Sequence, residues 1–449
     1  MAPTLNIPDS LLRLAPEIIL AIGNELGLPD IKRFRLSCKA VAAILHHEVF
    51  RTVHLEVCKE NMVKGVRKIE ALAAGKHPAC AAARVLSIGM LAPAASRAVL
   101  ASTIWSPSPY PEETSEAADA RKRLAAHLFD AITSLRGVNS VIWEEHEHDC
   151  YPASRIAMNA IKELPSLRSV RFRFESWPQI PLELDCLNDL TEISIKTGVA
   201  FPPYAELIFD NVAKAIAQNP NLRSIDICNT GIDHLHAYNS LHNLFRLYPR
   251  TAPPLGLVNL KLKSVNLCLD DAVVMRHLIS LKSISLEDIH PHPSHTSLFY
   301  TSLPSDVWRV LDSNGIHLEE ITLDEAPPSF IDYLSSYSGL KRLRFIDNPC
   351  KPADGTADLF FEKALLGHAQ SLECLEIVPP YPEGRWCFSG SNSGRFSIFS
   401  KLKHLAVNFQ LSDLQDFDHV GEKRSSSPLD PFVSKINTLN HFTRSDSTP

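Results

Sequence analysis

Leu318-Glu319-Glu320-Ile321-Thr322-Leu323 and, 22 residues on, Leu340-Lys341-Arg342-Leu343-Arg344-Phe345 are two copies of one pattern. An apolar residue is followed by two others, an apolar residue, one other, and a third apolar residue. In an extended chain alternate side chains face opposite ways, so the second and third apolar positions point inward and the residues between them outward. The pattern also stands at Leu167-Val170-Phe172, Leu190-Ile193-Ile195, Leu222-Ile225-Ile227, Leu257-Leu260-Leu262, Leu281-Ile284-Leu286, Leu372-Leu375-Ile377 and Leu402-Leu405-Val407. Successive starts lie 23, 32, 35, 24, 37, 22, 32 and 30 residues apart. Weaker copies precede them at Phe50-Val53-Leu55 and Val138-Val141-Trp143, with a degenerate one near Val85 to Ile88. One match means little in a chain that is 45% hydrophobic; nine make a repeat.

Each copy predicts a short strand leading into a loop and a return helix. Helical candidates are Tyr204 to Gln218, Leu235 to Leu247, Asp306 to Leu311, Ser329 to Ser336 and Leu359 to Ala369. One such unit cannot bury its own apolar edge, so neighbours must stack, strand beside parallel strand. The expected fold is α/β: an irregular leucine-rich repeat solenoid over residues 48–420. An ordinary α/β domain is the competing fold, but Gly-rich phosphate turns and continuous Val/Ile strand runs are absent.

Residues 5–47 carry a different signal. Leu14, Ile18, Ile19 and Ile22 fall on one helical face. Pro16 suits a first helical turn, and Gly27 is expected to end the helix in a left-handed conformation. Pro29-Asp30 restarts the chain, and Ile31, Phe34, Leu36, Cys38, Val41, Ile44 and Leu45 make a second apolar face. So few residues cannot bury this surface alone; the rest of the chain or a partner must cover it.

Bulk properties exclude several classes. A formal charge of −6 and a pI of about 6.3 do not fit a nucleic-acid reader, and no polybasic run addresses a membrane surface. The first apolar stretch is interrupted by Arg13, Pro16 and Glu17, unlike a secretory leader, and no window approaches a membrane-spanning length. Ten scattered cysteines without a CxxC read as reduced thiols. A soluble protein of the cytoplasm or nucleus is expected. Pro- and Ser-rich 102–120 is expected to be an exposed loop insertion, and 421–449 a poorly ordered tail.

Residues Leu14 to Ile44 resemble the F-box, the adaptor-binding module of substrate receptors in cullin–RING ubiquitin ligases. The matching residues are Leu14-Ala15-Pro16-Glu17-Ile18-Ile19, then Ile22, Leu26, Pro29-Asp30-Ile31, Arg35-Leu36-Ser37-Cys38-Lys39 and Ile44. Ala15 stands where the family usually has a proline. Irregular leucine-rich repeats following the module resemble the arrangement of many F-box proteins, notably large fungal sets. The resemblance implies that Leu14, Pro16, Glu17, Ile18, Ile22, Leu26 and Ile31 contact a Skp-type adaptor, which joins the chain to the cullin ligase core. It implies that Phe34, Cys38 and Ile44 hold the module together and join it to the first repeat. The repeats would then hold an unknown target protein through outward strand positions, among them Arg171, Arg173, Lys196, Asp226, Lys261, Lys263, Glu287, Arg342 and Arg344. The alternative is a repeat scaffold whose N-terminal helices act only as a cap.

Catalysis is not expected. His146 and His148 would share a strand face and could hold zinc with a third ligand, but Glu144 to Cys150 reads better as a solvated loop. His290, His292 and His295 sit among prolines. Gly390-Ser391-Asn392-Ser393-Gly394 has Asn where a nucleophile elbow needs its nucleophile. No metal and no cofactor are expected.

Overall fold

The computed structural model describes residues 14–96, 113–146, 148–174, 183–198, 202–230, 239–267, 272–291, 306–346, 356–377, 386–387, 396 and 398–408. The tail 421–449, residues 102–112 of the expected loop, His292, His295 and the 390–394 stretch lie outside them. Two compact units are present, one ending at Asn211 and the other beginning at Val212.

The first unit opens with four short helices: α1 (Pro16–Glu25), α2 (Leu28–Arg35), α3 (Lys39–Ile44) and α4 (His46–Phe50). Gly27 is extended (φ −65°, ψ 154°), contrary to the expected left-handed stop. It precedes the next helix directly, so the chain re-enters a helix without needing a left-handed residue. Five parallel strands follow in chain order: β1 (Thr52–Val57), β2 (Val85–Leu91), β3 (Ser140–Glu145), β4 (Ser169–Phe174) and β5 (Glu192–Thr197). The register runs Val53, Leu86, Val141, Val170, Ile193 in one row and Leu55, Ile88, Trp143, Phe172, Ile195 in the next. All ten side chains are buried. Between the strands stand α5 (Met62–Ala73), α6 (Ala79–Ala82), α7 (Ser115–Thr133) and α8 (Tyr151–Lys162). Gly65 lets α5 lie directly on β1, because a Cβ there would stand 2.3 Å from the Glu56 carbonyl oxygen. Arg123 of α7 donates two 2.8 Å hydrogen bonds to the Glu70 carboxylate of α5.

Helix α7 corrects the expectation that 102–120 is loop throughout. The Thr114 hydroxyl accepts a 3.2 Å hydrogen bond from the Ala117 backbone N–H, Glu116 lies in the first turn, and Ala117 and Ala120 are buried. A capping threonine and an acidic first turn start a helix whatever precedes them.

The second unit continues the rule with β6 (Ser224–Asn229), β7 (Asn259–Lys263), β8 (Asn266–Leu267), β9 (Ser283–Glu287), β10 (His290–Pro291), β11 (Glu320–Leu323), β12 (Arg342–Phe345), β13 (Cys374–Ile377) and β14 (His404–Val407). β8 and β10 pair separately. The other seven are parallel neighbours in chain order. Their inner rows are Ile225, Leu260, Ile284, Ile321, Leu343, Leu375, Leu405 and Ile227, Leu262, Leu286, Leu323, Phe345, Ile377, Val407. These are the second and third apolar positions of the repeat. The first position of all nine clear copies is buried, and of the inner rows only Leu405 and Val407, on the last strand described, are half-buried.

The helices α9 (Pro202–Gln218), α10 (Leu241–Phe245), α11 (Ala272–Leu278), α12 (Asp306–Ser313), α13 (Pro328–Ser336) and α14 (Thr356–Leu359) fall between strands. The last continues as a π turn, Phe360–Ala364, and a 3₁₀ turn, Leu365–His368. Rings of Trp308 and Phe330 stand 4.7 Å apart, and Phe345, Phe360 and Trp386 meet at 5.2–5.7 Å. No helix among the described residues is long and apolar enough to cross a membrane. The eight cysteines within the described residues are all free thiols.

Candidate partner-binding surfaces

The N-terminal helices are built around Ile19, Val41 and Leu45, with Leu20, Ile31, Phe34, Cys38 and Ile44 packed against them. Gly23 also faces inward, and a Cβ there would stand 2.7 Å from Leu45 Cδ2. Helix α1 therefore lies close to α3. Turning Ile19 and Gly23 inward turns Leu14, Ile18 and Ile22 outward, because residues four apart share a helical face. They are 36%, 48% and 38% exposed.

Of the residues expected to meet an adaptor, Leu14, Pro16, Glu17, Ile18 and Ile22 are thus exposed, while Leu26 and Ile31 are half-buried. Two apolar residues fall otherwise than the periodicity indicated. Ile19 parts from Leu14, Ile18 and Ile22 and enters the core, and Leu36, read as part of the second apolar face, is 84% exposed. Ala15 precedes α1 without a side-chain cap. Burial, then Lys32 and Lys64, push the Lys68 ammonium below its ordinary range.

Phe34, Cys38 and Ile44 pack on the helical core, and α4 docks on the first repeat. The Phe50 ring meets His77 edge-on at 5.8 Å, with the Arg35 guanidinium 5.0 Å over its face. The Arg51 carbonyl accepts from the Arg84 and Val85 backbone N–H groups at 2.8 and 2.9 Å, which starts the strand ladder.

In each unit the outward strand positions form a further surface. Arg171, Arg173, Lys196, Lys261, Arg342 and Arg344 are exposed, and Asp226 and Lys263 half-buried. Glu287 differs: it is 8% exposed and accepts a 2.8 Å hydrogen bond from Lys263 Nζ. Most of these charges meet an opposite charge on a neighbouring strand. Arg171 reaches Glu192 at 3.5 Å, Arg173 reaches Glu144 at 3.8 Å, Arg342 reaches Glu320 at 3.6 Å and Arg344 reaches Glu376 at 2.7 Å. One residue before each strand, Lys282, Glu319, Lys341, Glu373 and Lys403 alternate in sign. Glu319 pairs with both Lys282 (3.0 Å) and Lys341 (2.6 Å), and Glu373 with Lys403 (2.7 Å). Hydrogen bonds from both lysines hold the Glu319 carboxyl below its usual range.

The segment after β3 is not the solvated loop its composition indicated. Glu145, His146 and Asp149 are 3%, 9% and 5% exposed. Asp149 accepts from the Leu91 and His146 backbone N–H groups at 2.6 and 3.0 Å, and burial pushes its carboxyl up to about 7. Its work is to satisfy backbone at two strand ends. Among the described residues His146 and His148 belong to no metal-competent group.

No family model and no curated protein matches the chain. Among solved structures, the Toll–Spätzle complex of Drosophila is matched over 73% of this chain and 51% of that one, at 13% identity and a TM-score of 0.24. The chain spans about half the length of that structure, and a likeness of this degree carries no argument about fold or function.

Proposed function

We propose that this chain is the substrate-recognition subunit of a Skp–cullin–F-box ubiquitin ligase, with α1 to α3 as the adaptor-binding module and the strand face as the target platform. The observation that carries the reading is the outward stripe of Leu14, Ile18 and Ile22 over a core of Ile19, Val41 and Leu45. It lies in the segment whose residues resemble the F-box. Covering what these three side chains still expose is worth on the order of 1 kcal/mol each. An interface of standard size with a few such anchors at its centre is then stable.

The platform belongs to the irregular leucine-rich repeat type. Its paired charges leave a mixed surface with no uniform sign, suited to a protein target and not to a polyanion. The chain would add no chemistry of its own and would raise the local concentration of target lysines near ubiquitin-charged enzyme. Such work places it in the cytoplasm or nucleus.

Recombinant Skp-type adaptor mixed with the full chain tests the proposal. Wild type should be captured and Ile18→Asp should not; undiminished capture of Ile18→Asp would overturn it. The second reading, a capped repeat scaffold, is favoured by the docking of α4 against His77. It requires that no adaptor binds and that removal of residues 1–47 makes the chain aggregate.

A further inference from the structure

The outward strand face carries one cluster that target binding does not explain. Cys374 and Glu376 are two residues apart on β13 and share its outward side. His404 of β14 stands in register with Cys374. Glu376 Oε1 is 3.8 Å from Cys374 Sγ and 3.5 Å from His404 Nε2. One donor atom from each of the three lies within 4.8 Å of the others, and among the described residues no other three His, Cys or acidic groups do so. Ligands held about 2.0–2.3 Å from a tetrahedral zinc stand roughly 3.3–3.7 Å apart. Small side-chain rotations close the remaining gap.

The carboxylate is also aimed. Arg344 Nε of β12 lies 2.7 Å from Glu376 Oε2, which leaves Oε1 toward the thiol and the imidazole. Orientation of a ligand by a partner that does not itself touch the metal is the usual support of a metal site.

We propose that Cys374, Glu376 and His404 form a binding site for a divalent transition metal of the zinc class, with Arg344 as a positioning residue. The donor set is one sulfur, one nitrogen and one oxygen, which selects zinc-like ions over magnesium or calcium. A thiolate and a carboxylate neutralise a dication, and the fourth position is open to water. Binding requires the thiol in its thiolate form and so releases a proton to solvent. An ordinary surface ion pair accounts for His404 and Glu376 but not for a half-buried thiol placed beside them. The inference is independent of the ligase reading.

The test is titration of the full-length, chelator-treated protein with cobalt(II), whose tetrahedral thiolate complexes show a sulfur-to-metal charge-transfer band. One equivalent should bind with that band and be displaced by one equivalent of zinc. Cys374→Ser should abolish the band and His404→Ala stoichiometric uptake, while Cys186→Ser, at an exposed cysteine elsewhere, leaves both intact. Arg344→Ala should keep the stoichiometry and weaken affinity about 10–100-fold. His404, Arg344 and Cys186 are exposed and Cys374 is half-buried, and unchanged circular dichroism verifies folding. Absence of stoichiometric cobalt in wild type, or equal binding by Cys374→Ser and His404→Ala, would overturn the proposal.

Discussion

His277 and His368 are buried on return segments, and each Nδ1 accepts a backbone N–H, from Leu255 at 2.9 Å and from Leu340 at 3.2 Å. His368 Nε2 lies 3.1 Å from the Leu334 carbonyl, which fixes the neutral tautomer with the proton on Nε2. Burial pushes both rings from 6.5 down to about 4. The unfolded chain therefore takes up protons as pH falls below about 6.5, while the folded chain refuses them until about 4. Their stabilisation is intact above that window and lost within it, by no more than roughly 3 kcal/mol each. Asp149 acts oppositely, because its raised carboxyl favours the folded state as pH falls from 7 toward 4. The histidine share is the difference between wild type and the His277→Gln/His368→Gln variant in urea unfolding at pH 7 and pH 5. Wild type should lose more stability than the variant between those values, and parallel losses would refute the assignment. Neither histidine belongs to a cluster in the sequence, unlike His146, His148 and the 290–295 group. The available signal was spacing: each lies four residues before the first leucine of a repeat, Leu281 and Leu372.

At the scale of elements, strands were legible and helices only partly. The strand pattern rests on three apolar positions whose packing is the same in every repeat, so register follows from sequence. Helices α9, α12 and α13 are read within a few residues of their bounds. Helices α5, α7 and α8 of the first unit were missed. Alanine supplies much of the buried face of α7 and α8, and small side chains give weak contrast with solvent-facing positions. Close approach was equally hidden, since nothing in sequence tells a packing glycine from a turn glycine. Gly65→Ala should cost about 1–3 kcal/mol in urea unfolding, because backbone and not a movable side chain blocks the added methyl. A loss below about 0.5 kcal/mol would show that α5 shifts freely. Gly23→Val should lift α1 from Leu45 and reduce adaptor capture about 10-fold or more while leaving strand circular dichroism unchanged. Unaltered capture would mean that the α1–α3 contact does not set the binding face.

Over the whole molecule, most of the repeat rule was legible, and the division at Asn211 and Val212 was not. That division depends on long-range contact density, which no local pattern reports. It leads to an additivity prediction: Gly65→Ala in the first unit and His368→Gln in the second share no partners. Their stability losses should sum within about 0.5 kcal/mol. A larger coupling measured by denaturant unfolding of the double variant would show that the units do not behave separately. The candidate surfaces were legible in kind but not in detail. Sequence placed Ile18 and Ile22 outward, and the packing of Ile19 on Val41 and Leu45 beside the close approach of Gly23 turns Ile19 inward. It also named outward charges without showing that neighbouring strands pair most of them. The central claim is that α1 keeps its outward stripe for a Skp-type adaptor. Calorimetric titration of purified adaptor into the full-length chain tests it most directly. One-to-one binding by wild type, weakened about 100-fold by Ile18→Asp and unaffected by Lys261→Glu on the strand face, is the predicted result; no binding by wild type, or equal binding by Ile18→Asp, would contradict it.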